Sequence, residues 1–149
     1  MIAAGITIVR RVLDDVRAHA REAAPRECCG ILIGTSECVL ENVRAGNLAD
    51  GTTRFEIDPH DHIRAVRLSR ARGLDVVGFY HSHPRSRAYP SETDKAESGY
   101  AGAMHLIAGT HDAGEEARLF RIDSDGVTEL RYVATETATL EGATEVSAG

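Results

Sequence analysis

Residues 75–94 read DVVGFYHSHPRSRAYPSETD, and both the fold and the chemistry of the chain are read outward from them. The first part, Asp75 to His81, is β-branched and aromatic, which is the composition of a buried strand. Pro84 cannot donate to a strand ladder, so the strand stops and a polar loop bounded by Pro84 and Pro90 takes over. His81 and His83 stand two apart at the strand end. Side chains two apart on a strand share a face, so both imidazoles can reach one point. Ser91 opens a short helix running to about Gly99, with Asp94 three residues on, the spacing of a capping box. Two imidazoles and a carboxylate are donors that suit zinc. Three protein ligands leave its fourth position open, the catalytic rather than the structural arrangement. The expectation is one Zn2+ per chain, held by His81, His83 and Asp94.

Working outward, Asp58-Pro59 is a helix start, a capping carboxylate followed by proline, and the helix runs to about Arg72 and stops at Gly73. Residues 28–34, CCGILIG, form a short apolar run closed by glycine and read as a buried strand. A second strand spans Glu37 to Arg44, Ala45 to Thr53 is loop, and Arg54 to Ile57 is a short extended piece. Residues 7–24 read as one helix, because Ile8, Val12, Val16 and Ala20 recur every four residues, with Thr7 or Gly5 opening it. Downstream, Met104–Ala108 and Ala117–Ile122 are strands, Asp123–Gly126 is a turn and Val127–Ala134 is a final strand. The order predicts a single α/β domain over residues 1–136, a mixed sheet flanked by helices. Residues 137–149 show no periodicity and read as a disordered tail.

A chain of 149 residues can bury a core without disulfides. Its net charge of -6 argues against nucleic acid, which needs a basic surface. No apolar run approaches the roughly 20 residues of a membrane span, and no signal peptide is evident, so a soluble cytoplasmic protein is expected. Cys28, Cys29 and Cys38 are odd in number and two are adjacent, a poor disulfide framework, so reduced thiols are expected.

A metal-bound water needs a group to take its proton. Glu27 enters the apolar strand CCGILIG beside cysteines rather than other charges, and desolvation there would raise its pKa, as suits a general acid/base. At this point the sequence resembles the JAMM (MPN-plus) metallopeptidase family, which carries a glutamate followed far downstream by H-[ST]-H, seven residues, S, two residues and D. Here that is Glu27, His81-Ser82-His83, Ser91 and Asp94, and P-R-E-C-C-G-I-L-I-G is similar to the family's block around the glutamate. The resemblance spans roughly residues 5 to 134. It implies a cytidine-deaminase-like fold, zinc on His81, His83 and Asp94, Glu27 as general acid/base and Ser91 as oxyanion donor.

It further implies a peptidase or isopeptidase acting after the C-terminal Gly-Gly of a ubiquitin-like or sulfur-carrier protein. The alternatives are a deubiquitinase-like isopeptidase and a non-catalytic MPN-type scaffold. A deaminase is not supported, because H-x-E with P-C-x-x-C is absent. The substrate tail is expected to add a strand along a sheet edge near His81 to Ser91. Arg85, Arg87 and Tyr89 are candidate substrate contacts. His60-Asp61-His62 is a second H-x-H, but it lies at a helix start, where residues two apart do not face each other, and reads as solvated. His105 and His111 read as structural or exposed, and His19 as lying on the outer face of the first helix. Cys29 reads as a small buried apolar residue. Ser82 faces away from the histidines and takes a structural role.

Overall fold

The structure is a computed structural model, and it describes residues 5–49, 54–92, 94, 102–111 and 114–136. In chain order the elements are β1 (Ile6–Val9), α1 (Arg10–Ala23), β2 (Cys29–Thr35), β3 (Cys38–Ala45), α2 (Pro59–Ala71), β4 (Asp75–Ser82), β5 (Met104–His111), β6 (Gly114–Asp123), β7 (Gly126–Leu130) and β8 (Tyr132–Thr135). They form one mixed eight-stranded sheet in the order β7-β6-β5-β4-β2-β3-β1-β8.

The expected helix over residues 7–24 is corrected at its start: Ile6–Val9 is a strand, parallel to both β3 and β8. Four β-branched residues fit a pleated surface better than a helix. Ile8 matched the helical repeat only because it lies four residues before Val12. The strand runs straight into α1, whose N-cap Val9 offers no side-chain hydrogen bond, so no cap marks the boundary. The expected final strand is also corrected. It breaks at Arg131 into β7, which pairs with β6, and β8, which pairs with β1.

That break fixes the shape of the sheet. β7 and β8 are its opposite edges, yet one residue separates Leu130 from Tyr132. Successive Cα atoms are about 3.8 Å apart, so the two edges meet at that point and the sheet curls. Its concave face wraps α1: Val12, Leu13 and Val16 pack with Ile8, Leu32, Val39, Tyr80, Leu106 and Leu119. The phenol of Tyr132 donates to Ala117 O at 2.8 Å, joining β8 to β6 across the curl. His19 belongs to this inner face, a correction to the expected outer position: its Nδ1 lies 2.8 Å from the hydroxyl of the buried Tyr80.

The other face carries α2, where Ala65 meets Cys29, Ile31, Ile33, Val43 and Phe79. Alternation along β2 divides Ile31 and Ile33 from Leu32, so one strand serves both cores. The ends of α2 are as the sequence predicts. The Asp58 carboxylate accepts from His60 N–H at 2.9 Å, with Pro59 in the first turn. At the other end Leu74 N–H reaches Ser69 O, and Gly73 N–H reaches Arg70 O, closing a Schellman turn through Gly73 at φ 68°. The expected helix from Ser91 includes Glu92 and Asp94, and its remainder lies outside the described residues, as does the expected tail from 137. Among the described residues no helix is long and apolar enough to cross a membrane.

Candidate metal centre

β4 lies in the middle of the sheet, antiparallel to β2 and parallel to β5. It is therefore not a free edge, and the expectation that a substrate tail extends the sheet alongside His81 is corrected to that extent. His81 pairs in register with Cys29. One residue on, Ser82 N–H donates to Cys28 O at 3.1 Å, and its hydroxyl accepts from Cys28 N–H at 2.8 Å. This clamp on the side away from the imidazoles holds the residue before Cys28, which is Glu27, beside the end of β4.

Beyond Ser82 the chain is anchored to β5, with His83 N–H donating to Ala108 O and Thr110 N–H to Ser86 O, both at 2.7 Å. His83 Nδ1 donates to Arg87 O at 2.9 Å, which sets the tautomer and leaves its Nε2 lone pair inward. The inward atoms converge. His81 Nε2 lies 3.2 Å from His83 Nε2, and Asp94 Oδ2 lies 3.1 Å from each. All three side chains are at most 7% exposed. A tetrahedral ion with ligands at about 2.0–2.1 Å separates its ligand atoms by about 3.3 Å. The triangle has the size of one face of such a site. Ser91 N–H also donates to Asp94 Oδ2, at 2.8 Å, and Asp94 N–H donates to Ser91 Oγ, at 3.0 Å: the reciprocal cap expected from the spacing.

Glu27 stands close by. It forms with His81 and His83 a buried group whose donor atoms all lie within 4.8 Å of one another. Two buried polar atoms have no hydrogen-bond partner among the described residues, Glu27 Oε1 and His81 Nδ1. The two carboxylates differ. Burial pushes the Glu27 carboxyl up to about 7, with His83 pulling it down and the Asp94 charge adding to the rise. Burial also acts to raise Asp94, but its contacts with the His81 and His83 rings outweigh it and hold the carboxyl well below the usual range. A cluster that leaves one acid ionised among imidazoles and another orphaned fits a bound cation.

The remaining candidates separate. Arg85 is exposed. Arg87 forms a bidentate pair with Glu116 at 2.8 and 3.2 Å. Tyr89 is 46% exposed and sits edge-on to Phe120. Cys28, Cys29 and Cys38 are free and buried, and burial pushes the Cys29 thiol up to about 12. His60 is almost fully exposed, and Asp61 is occupied with Gly46 N–H and Arg64. His105 is buried, and burial lowers its pKa to about 4. The side chain of His111 lies outside the described residues.

Sequence reasoning missed two neighbours. Phe55 stacks on His81, with centroids 4.4 Å apart and planes at 21°. The Asn47 side chain donates to Glu27 O at 3.0 Å and to Arg54 O at 3.2 Å. The only signals available were an aromatic in a short extended piece and an asparagine in a loop, and neither is specific.

A curled mixed sheet with two helices, carrying a buried acid–histidine cluster at the end of a central strand, defines a metallopeptidase of the JAMM class. Residues 9–123 match the family model described as prokaryotic homologs of the JAB domain, and the chain belongs to that family. It is 33% identical over 114 residues to the desampylase of Haloferax volcanii, covering 72% of this chain and 82% of that protein. It is 31% identical over 115 residues to the CysO-cysteine peptidase of Mycobacterium tuberculosis, covering 75% and 79%. The solution structure of a protein from Desulfitobacterium hafniense superposes with a TM-score of 0.81 at 31% identity, covering 89% of this chain and 94% of that one.

Proposed function

We propose that this chain is a zinc-dependent peptidase or isopeptidase that hydrolyses the amide bond after the C-terminal Gly-Gly of a ubiquitin-like or sulfur-carrier protein. The observation that carries this reading is a pair of unlike carboxylates around one imidazole pair. Asp94 lies 3.1 Å from both Nε2 atoms and is held ionised, while Glu27 Oε1 has no partner among the described residues and burial pushes that carboxyl up to about 7. The first suits a cation and the second suits proton transfer near neutral pH.

In this reading His81, His83 and Asp94 hold one zinc. Zinc, when bound there, supplies Lewis acidity that lowers the pKa of water to about 7 and polarises the scissile carbonyl. Glu27 takes a proton from the attacking water and delivers it to the leaving amine. The Ser91 hydroxyl accepts from Asp94 N–H, so its own proton remains to be donated to the carbonyl oxygen as negative charge develops. Arg87 O keeps His83 in the tautomer that presents Nε2 inward.

The carrier class is supported by the relatives whose names are desampylase and CysO-cysteine peptidase. A Gly-Gly end has no side chains to exclude it from a narrow cleft. Because β4 is covered on both sides, such a tail would pair with the backbone of the loop 84–91 rather than with β4. Arg85 and Tyr89 are exposed in that loop where a carrier would approach, whereas Arg87 would first have to leave Glu116. Three buried free thiols suit a reducing, cytoplasmic setting. A non-catalytic scaffold has no use for an orphaned buried acid beside a metal triangle, and that observation favours the enzyme.

The test is mass spectrometry of carrier proteins extended beyond Gly-Gly, incubated with zinc-loaded protein. Wild type is expected to cut after Gly-Gly. Glu27→Gln is expected to keep its zinc and lose about 100- to 10,000-fold in rate. Undiminished cleavage by Glu27→Gln would sink the mechanism, and absence of cleavage by wild type across the carriers would sink the substrate class.

A further inference from the structure

The two imidazoles of the centre are held by different means. His83 has a carbonyl on its outer nitrogen, Arg87 O at 2.9 Å. His81 has nothing there: its Nδ1 is buried and without a partner among the described residues. Metal-binding histidines ordinarily have the second nitrogen hydrogen-bonded, which fixes the plane of the ring. Among the described residues His81 lacks that restraint, and besides the edge of His83 the ring that lies against it is Phe55, stacked at 4.4 Å with planes at 21°.

Phe55 lies in no strand; its ring packs against the core under α2, and the isolated bridge between Asn47 and Ile57 and the Leu48 N–H to Glu56 O bond flank it among the described residues. The side chain that ties its backbone to the centre is Asn47. That carboxamide uses all of its capacity, two donor hydrogens and two acceptor lone pairs. Nδ2 donates to Arg54 O and Glu27 O, and Oδ1 accepts from Glu56 N–H at 2.8 Å and Ala49 N–H at 2.9 Å. The contacts to Arg54 and Glu56 bracket Phe55 on both sides. The contact to Glu27 ties the same side chain to the backbone of the acid.

We propose that Asn47 and Phe55 are positioning residues of the metal centre: Phe55 fixes the ring plane of His81, and Asn47 fixes that phenyl ring relative to Glu27. Stacking here does the work that a hydrogen bond does for His83. This rests on the proposed metal site, and the experiment separates the two.

Metal-free protein is titrated with Co2+ against a chromophoric chelator, with folding checked by circular dichroism. Phe55→Tyr keeps the flat face and is expected to bind like wild type. Phe55→Leu is expected to weaken binding about 10- to 100-fold, the usual cost of losing a group that orients a ligand. Phe55→Met, which fills the space with an unbranched chain, gives the same reading if Phe55→Leu fails to fold. Asn47→Asp keeps the acceptors and loses both donors. It is expected to weaken binding, and to add little in combination with Phe55→Leu because both act through one ring. Folded Phe55→Leu or Phe55→Met with wild-type affinity would overturn the inference for Phe55, and fully additive effects would overturn it for Asn47. If His83→Ala also bound Co2+ like wild type, the metal site itself would be wrong.

Discussion

Glu27 carries a carboxyl that burial moves from 4.5 up to about 7, so in the metal-free protein its ionised form strains the fold. The sign follows from proton counting. Between those values the folded state holds a proton that the unfolded state has released, so stability falls as pH rises from about 4.5 to 7. Glu27→Gln removes that dependence. At pH 7 the metal-free variant is expected to exceed wild type by up to about 3 kcal/mol in urea unfolding, the gap closing by pH 4.5. A variant no more stable than wild type at pH 7 would show the acid to be solvated. His105 acts in the opposite sense. Its pKa is lowered to about 4, so its share of stability is present above 6.5 and is lost as pH falls toward 4. His105→Gln is expected to flatten that part of the pH profile. The side chains that converge at the centre were legible where they are local: His81, His83 and Asp94 fall within one short stretch. Glu27 was legible from its apolar surroundings. Asn47 and Phe55 were not, because what brings them to the centre is long-range contact, Asn47 with Glu27 O and Phe55 with the His81 ring.

At the scale of elements, the loop that carries His83 to Asp94 lies directly on β5. A Cβ at Gly109 would collide with the backbone of Arg87 and Ala88, whose position supports the His83 ring. Gly109→Ala is expected to push this loop outward, costing about 1–3 kcal/mol of stability and weakening metal binding at the same time. A variant with unchanged thermal unfolding and unchanged zinc affinity would contradict the packing. The helices and strands with strong local signals matched the sequence reading: α2 with its Asp58-Pro59 start and Gly73 stop, and β4 with its β-branched run. β1 did not, because the helical repeat extended backward by chance and the pairing that decides it comes from β3 and β8. Nor did the break at Arg131, where no glycine or proline marks the change of partner.

For the whole molecule, curling of the sheet is the organising event, and Tyr132 bridges it. Tyr132→Phe removes the hydroxyl that donates to Ala117 O while keeping the ring, so a loss of about 1 kcal/mol is expected in urea unfolding. A neutral result would mean that water replaces the bond. The exposed ion pairs, such as Arg10 with Glu136 and Arg21 with Glu115, are worth little by comparison.

The Ser82–Cys28 clamp joins positions 54 apart in the chain, whereas the His81-to-Asp94 stretch spans only 13. The proposed ligands are therefore neighbours in sequence, and the acid reaches them only once β2 and β4 have docked. On the proposed reading, a partly assembled or damaged molecule would retain its ion while lacking the group proposed for proton transfer. Zinc stoichiometry in a purified sample would then overcount working enzyme, and the honest denominator for a turnover number is an active-site titration.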